Sequence, residues 1–282
     1  MYAALPKHKG TEKMQAELRR RLSAARKEAH GKKGAHQRPF YLVDPEGAGQ
    51  VALVGPANAG KSSLVRALTH ATPEVAPYPF TTQAPVPGMM QYLNTSVQLL
   101  DLPPLDPNFA PPWISEVLRH ADACALVVDL NDPADLDEIS YIEEKFDHWR
   151  VARPPLLVGN KLDLPGAPDN FAALEDLYHD RYRCLAVSAV TGEHLDWFRR
   201  EAYQLLHVVR VYTKAPGKPA DLSAPYTLPQ GSSVLDAAAR VHKDFAENLR
   251  FARLFRPDRP REGLMVDRQH ILEDEDILEF HL

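Results

Sequence analysis

Short apolar runs alternate with stretches of helical periodicity over most of this chain. Gln50-Val51-Ala52-Leu53-Val54 is apolar on both faces, the pattern of a parallel strand buried between two layers. Ser63-Leu64-Val65-Arg66-Ala67-Leu68 then reads as the start of a helix. Residues 78–88 hold Pro79, Pro85 and Pro87, which cannot continue a helix or a central strand, so the stretch reads as an ordered loop. Strands follow at Val97–Leu100, ending on Asp101, then at Ala123–Val128, Leu156–Val158 and Cys184–Val187. Helical patterns fall near Trp113–His120, Leu136–Trp149, Phe171–Tyr182 and Leu195–Leu206. This alternation predicts a doubly wound α/β domain with its ligand at the carboxyl ends of the strands. After Val208 the elements shorten. Strands at 208–213, 225–228, 251–255 and 276–280 with a helix at 234–242 make a small α+β module, and nothing repeats internally. The expected domains are an arm and linker at 1–48, the α/β domain at 49–207 and the module at 208–282.

Charge divides the chain more sharply than composition does. With 44% hydrophobic and 25% charged residues it reads as an ordinary globular protein, and no apolar run is long enough to span a membrane. The net charge is −5, yet residues 1–38 hold eleven Lys/Arg against three acids, a net of +8, which leaves −13 on the remainder. Met14, Leu18, Leu22 and Ala25 recur at helical spacing within this arm, with Arg19, Arg20, Arg21, Arg26 and Lys27 on the other faces. A basic helix of this kind fits a nucleic-acid phosphate backbone, and equally a solvated helix laid on the body. The start lacks the apolar core of a secretory signal, so a cytoplasmic protein is expected. Cys124 and Cys184 each sit in a strand-like run and read as buried reduced thiols, and the twelve histidines form no zinc-like grouping.

The chemistry is concentrated at Gly55-Pro56-Ala57-Asn58-Ala59-Gly60-Lys61-Ser62, which has the spacing G-x-x-x-x-G-K-[ST] between a strand and a helix. Such a loop aims backbone N–H groups and a helix N-terminus at one anion. Asn58, Ala59, Gly60, Lys61, Ser62 and Ser63 are therefore candidates to bind nucleotide phosphates, with Lys61 at the β- and γ-phosphates and Ser62 on Mg²⁺. Asp101, a carboxylate at a strand's carboxyl end, is a second-site candidate. Asn160-Lys161-Leu162-Asp163 follows another strand in the pattern N-K-x-D, and Ser188-Ala189 follows the next. Asp163 can accept both guanine N1–H and the 2-amino group, donors that adenine lacks there. The first stretch resembles the N-K-x-D motif of GTPases and Ser188-Ala189 their fifth motif, a resemblance that implies that Asn160 ties this loop to the phosphate loop, the stem of Lys161 covers the base and the N–H of Ala189 meets guanine O6. Three motifs in order at successive strand ends point to GTP and GDP.

At these residues the chain resembles the developmentally regulated GTP-binding (DRG) proteins of the Obg group. Glu74-Val75-Ala76-Pro77-Tyr78-Pro79-Phe80-Thr81-Thr82, Val86-Pro87-Gly88 and Gln98-Leu99-Leu100-Asp101-Leu102-Pro103 look like that family's switch I and third motif. Val211-Tyr212-Thr213-Lys214, His242-Lys243 and Leu272-Glu273-Asp274-Glu275-Asp276 look like its C-terminal TGS domain, a ubiquitin-like β-grasp, and Lys9-Gly10-Thr11-Glu12 looks like its N-terminal helical segment. The resemblance implies a P-loop GTPase with Lys61 and Thr82 as catalytic groups and Ser62, Thr82 and Asp101 as Mg²⁺ ligands. It further implies ribosome or RNA contacts through the arm and TGS domain, with a protein co-factor as a further partner.

The chain departs from that family in three places. The third motif should end in a glycine whose N–H contacts the γ-phosphate, but Pro104 stands there and proline has no N–H. Between Asp101 and Trp113 lie five prolines and no glycine, which predicts a stiff segment in place of a mobile switch II. The position of a water-orienting glutamine is Leu105. Only 58 residues separate Asp101 from Asn160, too few for the family's extra lobe. Asn58 replaces the usual serine and resembles the asparagine of potassium-dependent GTPases, which makes it a K⁺ candidate. Slow hydrolysis is the expectation, and a non-hydrolysing nucleotide-binding scaffold and an RNA- or ribosome-binding adaptor both fit the same residues. His70 and His120 read as surface or capping residues, and Trp113, Trp149 and Trp197 as anchors of helices on the sheet.

Overall fold

A computed structural model describes residues 39–69, 84–107, 109–132, 135–152, 154–256 and 259–282. The basic arm, His70, and the loop carrying Thr82 lie outside the described residues. The first sheet holds β1 (Gln50–Val54), β2 (Val86–Tyr92), β3 (Thr95–Asp101), β4 (Ala123–Asp129), β5 (Leu156–Asn160) and β6 (Arg183–Ala186) in the order β2-β3-β1-β4-β5-β6. Only β2 runs antiparallel to its neighbour; β3, β1, β4, β5 and β6 are parallel. The connecting helices are α1 (Lys61–Leu68), α2 (Ile114–His120), α3 (Asp135–Trp149), α4 (Ala167–Tyr178) and α5 (Leu195–Gln204).

Strand alternation sorts the apolar runs into two cores. Ala52 and Val54 of β1, with Cys124, Leu126 and Val128 of β4, face α2, α3 and α4 through Ile114, Ile139, Phe146 and Leu174. Val51 and Leu53, with Ala125 and Val127, face α1 and α5 through Leu64, Leu68 and Phe198. Each valine, leucine, isoleucine or phenylalanine among them contributes about 1.5–3 kcal/mol on burial, which is why runs without a polar face become the central strands. Both cysteines are free, and burial raises the Cys124 thiol to about 12 and the half-buried Cys184 thiol to about 11.

A second sheet is built from β7 (Val208–Thr213), β8 (Tyr226–Pro229), β9 (Phe251–Arg256), β10 (Arg259–Val266) and β11 (Asp276–His281), in the order β10-β9-β11-β7-β8. It pairs β11 with β7 in parallel and the rest antiparallel. Helix α6 (Val234–Val241) covers it, and the short α7 (Lys243–Asn248) follows. A capping box starts α6: the Ser233 N–H donates to Asp236 (2.8 Å), and the Asp236 N–H to the Ser233 hydroxyl (3.3 Å).

Two strands and one side chain depart from the sequence reading. Val86–Gly88, read as loop, opens β2, where Pro87 is tolerated because β2 is an edge strand. Strand β10 was not expected, because Pro260 and Gly263 break its pattern; it too is an edge, with a register shift between Arg259 and Leu264. A Cβ on Gly263 would stand 2.6 Å from the tip of the Phe255 ring, which would have to turn aside. Trp113 and Trp149 pack on the core as expected, but Trp197 is 52% exposed and stacks on the His194 ring.

Candidate functional site

The phosphate loop connects β1 to α1 through backbone that few residues can adopt. Gly55 has φ +154 and a Cβ on it would fall 2.0 Å from the Val127 carbonyl oxygen, so the loop lies flat on β4. Asn58 takes φ 63, and Gly60 takes φ +88 as the N-cap of α1 without a side-chain cap. The first-turn N–H groups of α1 are thus left for an anion. Lys61, 6% exposed, donates to the carbonyls of Gly55 (2.8 Å) and Pro56 (2.7 Å). Burial lowers its ammonium to about 8, and the nearby carboxylate of Asp101 opposes that shift. Asp101 ends β3; burial raises its carboxyl, with the Ser62 hydroxyl and Lys61 pulling the other way. These groups, with Asn58, Gly60, Ser62, Ser63, Pro103, Pro104 and Lys161, line a cleft of about 680 Å³.

Asn160, 1% exposed at the end of β5, fastens the other motifs to this loop. Its amide donates to the Ala59 carbonyl (3.0 Å) and accepts from the Ala189 N–H (3.2 Å). The approach needs Gly60, where a Cβ would stand 2.1 Å from the Asn160 amide nitrogen. The Leu162 N–H donates to the Val187 carbonyl (3.0 Å), and the Ser188 hydroxyl to Asp163 (2.5 Å). All described candidates therefore come together at one end of the sheet. Two of them have protein partners of their own. The Ala189 N–H, assigned to the guanine, meets Asn160, and Lys161 forms an ion pair with Asp129 at 2.5 Å. Asp129 was missed, though it ends a strand on a carboxylate as Asp101 does.

The segment after Asp101 is pinned. Leu102 donates to the Leu53 carbonyl (3.4 Å) and Leu105 to that of Gly55 (3.1 Å), and both side chains are buried with Ile114 and Val117. Farther along, Asp106 and Phe109 exchange backbone hydrogen bonds, and the carbonyls of Pro111 and Pro112 receive Ile114 and Ser115. His120, at the end of α2, bonds the Glu116 carbonyl (2.8 Å), away from this cleft's lining. Among the described residues no His/Cys/Asp/Glu cluster could hold a metal by itself.

Comparison with known proteins matches both parts of this arrangement. The family described as 50S ribosome-binding GTPase matches residues 50–161, and the TGS domain matches residues 209–282. The chain carries a GTPase domain followed by a TGS domain. An uncharacterized GTP-binding protein of Methanocaldococcus jannaschii is 26% identical over 97% of the chain and 88% of its own length. That alignment runs over 349 positions, more than the 282 residues here, so the relative carries residues this chain lacks. One from Halobacterium salinarum is 27% identical over 98% of the chain and 95% of its own. The human mitochondrial ribosome-associated GTPase 2 is 37% identical over 57% of this chain and 40% of its own. The Schizosaccharomyces pombe YchF GTPase, at 14% identity and TM-score 0.59, shares the fold over 84% of the chain and 99% of its own. The GTPase match covers β1 to β5 of the six-stranded sheet, and the TGS match falls on the five-stranded one. No helix among the described residues is long and apolar enough to cross a membrane.

Proposed function

We propose that this chain is a slow, guanine-specific GTPase of DRG type that works on the ribosome or its RNA. The observation that carries the guanine reading is Asn160, one side chain joining the phosphate loop at Ala59 to the base loop at Ala189. Phosphates would occupy the N-terminus of α1, with the Lys61 ammonium leaving its carbonyl partners for the β- and γ-oxygens. Ser62, Asp101 and Thr82 would hold Mg²⁺, which when bound neutralises charge between the phosphates. The cleft fits these groups: its donors are backbone N–H and a buried ammonium, and its acceptors are one hydroxyl and one carboxylate. Asp163 would take both guanine donors, and Ser188 would hold that carboxylate in place. Lys61 and Thr82 are the proposed catalytic groups, and Asn58 is the proposed K⁺ ligand.

The proposed domains are the basic arm and linker at 1–48, the GTPase domain at 49–207 and the TGS domain at 208–282. Ribosome or RNA contact through the arm and TGS domain is supported by the ribosome-associated relative and the arm's charge of +8. A cytoplasmic location follows from the same reading. Binding constants for GTP, GDP and ATP, with and without Mg²⁺, test the assignment, and equal affinity for ATP and GTP would remove it. A non-hydrolysing scaffold is the second reading, favoured by the burial of Leu105 where a water-orienting glutamine would stand. Single-turnover GTP hydrolysis with and without K⁺ separates the two.

A further inference from the structure

The hairpin β2–β3 is paired along its whole length, from Val86 opposite Asp101 to Tyr92 opposite Thr95. At one end Val86 and Asp101 line the phosphate cleft. Roughly 20 Å away, at 3.4 Å per residue, the two-residue turn Leu93-Asn94 meets the TGS domain. There the Asn94 amide donates to the Tyr212 hydroxyl and to the Leu222 carbonyl (2.9 Å), and its oxygen accepts from Arg210 (3.1 Å). Arg210, 5% exposed, is fixed by Asp274 (2.6 Å) and Glu275 (2.8 Å). Tyr92 packs against Tyr203 of α5, ring centroids 5.2 Å apart and planes tilted by 40°, beside the same junction.

Backbone strain collects at this contact. Leu93 has φ 52 in a turn position where glycine, asparagine or aspartate is least costly, and Glu275, bonded to Arg210, has φ 69. Asn94 could occupy the left-handed position more cheaply than leucine, yet it sits one residue on, where its amide reaches three groups of the TGS domain.

We propose that the tip of the β2–β3 hairpin reads occupancy of the phosphate cleft into the TGS domain, with Asn94 as the positioning residue. The proposal rests on the nucleotide reading above. A ligand that shifts Val86 or Asp101 shifts a rigid hairpin, and its far end moves against Arg210, Tyr212 and Leu222. Coupling of this kind is reciprocal, so contacts at the tip also set nucleotide affinity. It follows occupancy of the cleft and does not need the third phosphate, for which Pro104 offers no N–H.

Hydrogen exchange on the full chain, nucleotide-free and with saturating Mg²⁺·GDP, tests this. In the wild type, GDP should slow exchange both in α1 and in residues 208–225. In Asn94→Ala the α1 response should persist while the 208–225 response disappears, and GDP affinity should fall several-fold. Tyr212→Phe, which removes one partner and keeps the aromatic ring, should reduce the 208–225 response and serves if Asn94→Ala does not fold. A 208–225 segment indifferent to GDP in the wild type, or a full response retained in the variants, overturns the coupling while leaving nucleotide binding intact. Absence of any α1 response would overturn the nucleotide reading and the coupling with it.

Discussion

Replacing Asp163 by asparagine turns a carboxylate that accepts from two guanine donors into an amide that presents a donor to a donor. Each charge-assisted hydrogen bond lost costs about 1.5–3 kcal/mol, so Asp163→Asn should weaken GTP and GDP alike by at least tenfold in a titration. Loss confined to one nucleotide would contradict the assignment. Lys61 gives a pH dependence of definite sign. Its ammonium falls to about 8 because it is buried, and an anion beside it would raise that value again. Below pH 8 the free protein already carries the charge and nucleotide affinity should be flat. Above pH 8 the free lysine loses its proton, and affinity should fall by up to tenfold per pH unit. Measuring the dissociation constant of GDP between pH 7 and 9.5 checks this, and an affinity unchanged across that range would refute it. Folding shows the opposite slope: the native state binds fewer protons than the unfolded chain between about 8 and 10.5, so this one group makes stability rise with pH there.

The element at issue is the stretch from Asp101 to Trp113. Preference for the GTP state comes from contacts that GDP cannot make, and Pro104 removes the N–H that would make one. Losing one bond of about 1.5–3 kcal/mol narrows the gap between GTP and GDP states by about ten- to a hundredfold. The wild type should therefore bind GDP and a non-hydrolysable GTP analogue similarly, and Pro104→Gly should raise the preference for the analogue. The Leu105–Gly55 bond and the buried Leu102 and Leu105 side chains hold the backbone on either side of that residue, so the glycine would gain a donor without melting the segment. A wild type that already prefers the analogue strongly would refute the prediction. The strands of the GTPase domain were legible because their apolar runs have no polar face, and the phosphate loop because its glycine spacing sits between such elements. Strands β2 and β10 were not, because proline and glycine look the same in an edge strand as in a loop. Asp129 was passed over because an acid after an apolar run is common, and only the ion pair with Lys161 distinguishes it.

Across the whole molecule, charge separates an arm of +8 from a body of −13. Removing residues 1–38 should weaken association with RNA or ribosomes and flatten its dependence on salt, since eleven cations act mainly through released counterions. An unchanged slope in binding assays across salt concentrations would assign the arm to the surface of the body. The join between the domains was invisible in sequence, because Asn94 and Arg210 lie outside every quoted motif and meet Asp274 only when the chain folds. The thiol of Cys124 offers a clock for the molecule as a whole. Buried in the central strand β4 and raised to about 12, it should be inert to alkylating reagents at neutral pH until the sheet opens, when its acidity returns toward the ordinary value near 9. Its modification rate then counts excursions of the native protein into open states. If GDP binds the closed form alone, a hundredfold excess over its dissociation constant should slow the labelling of Cys124 about a hundredfold, with no change in the reagent's own chemistry.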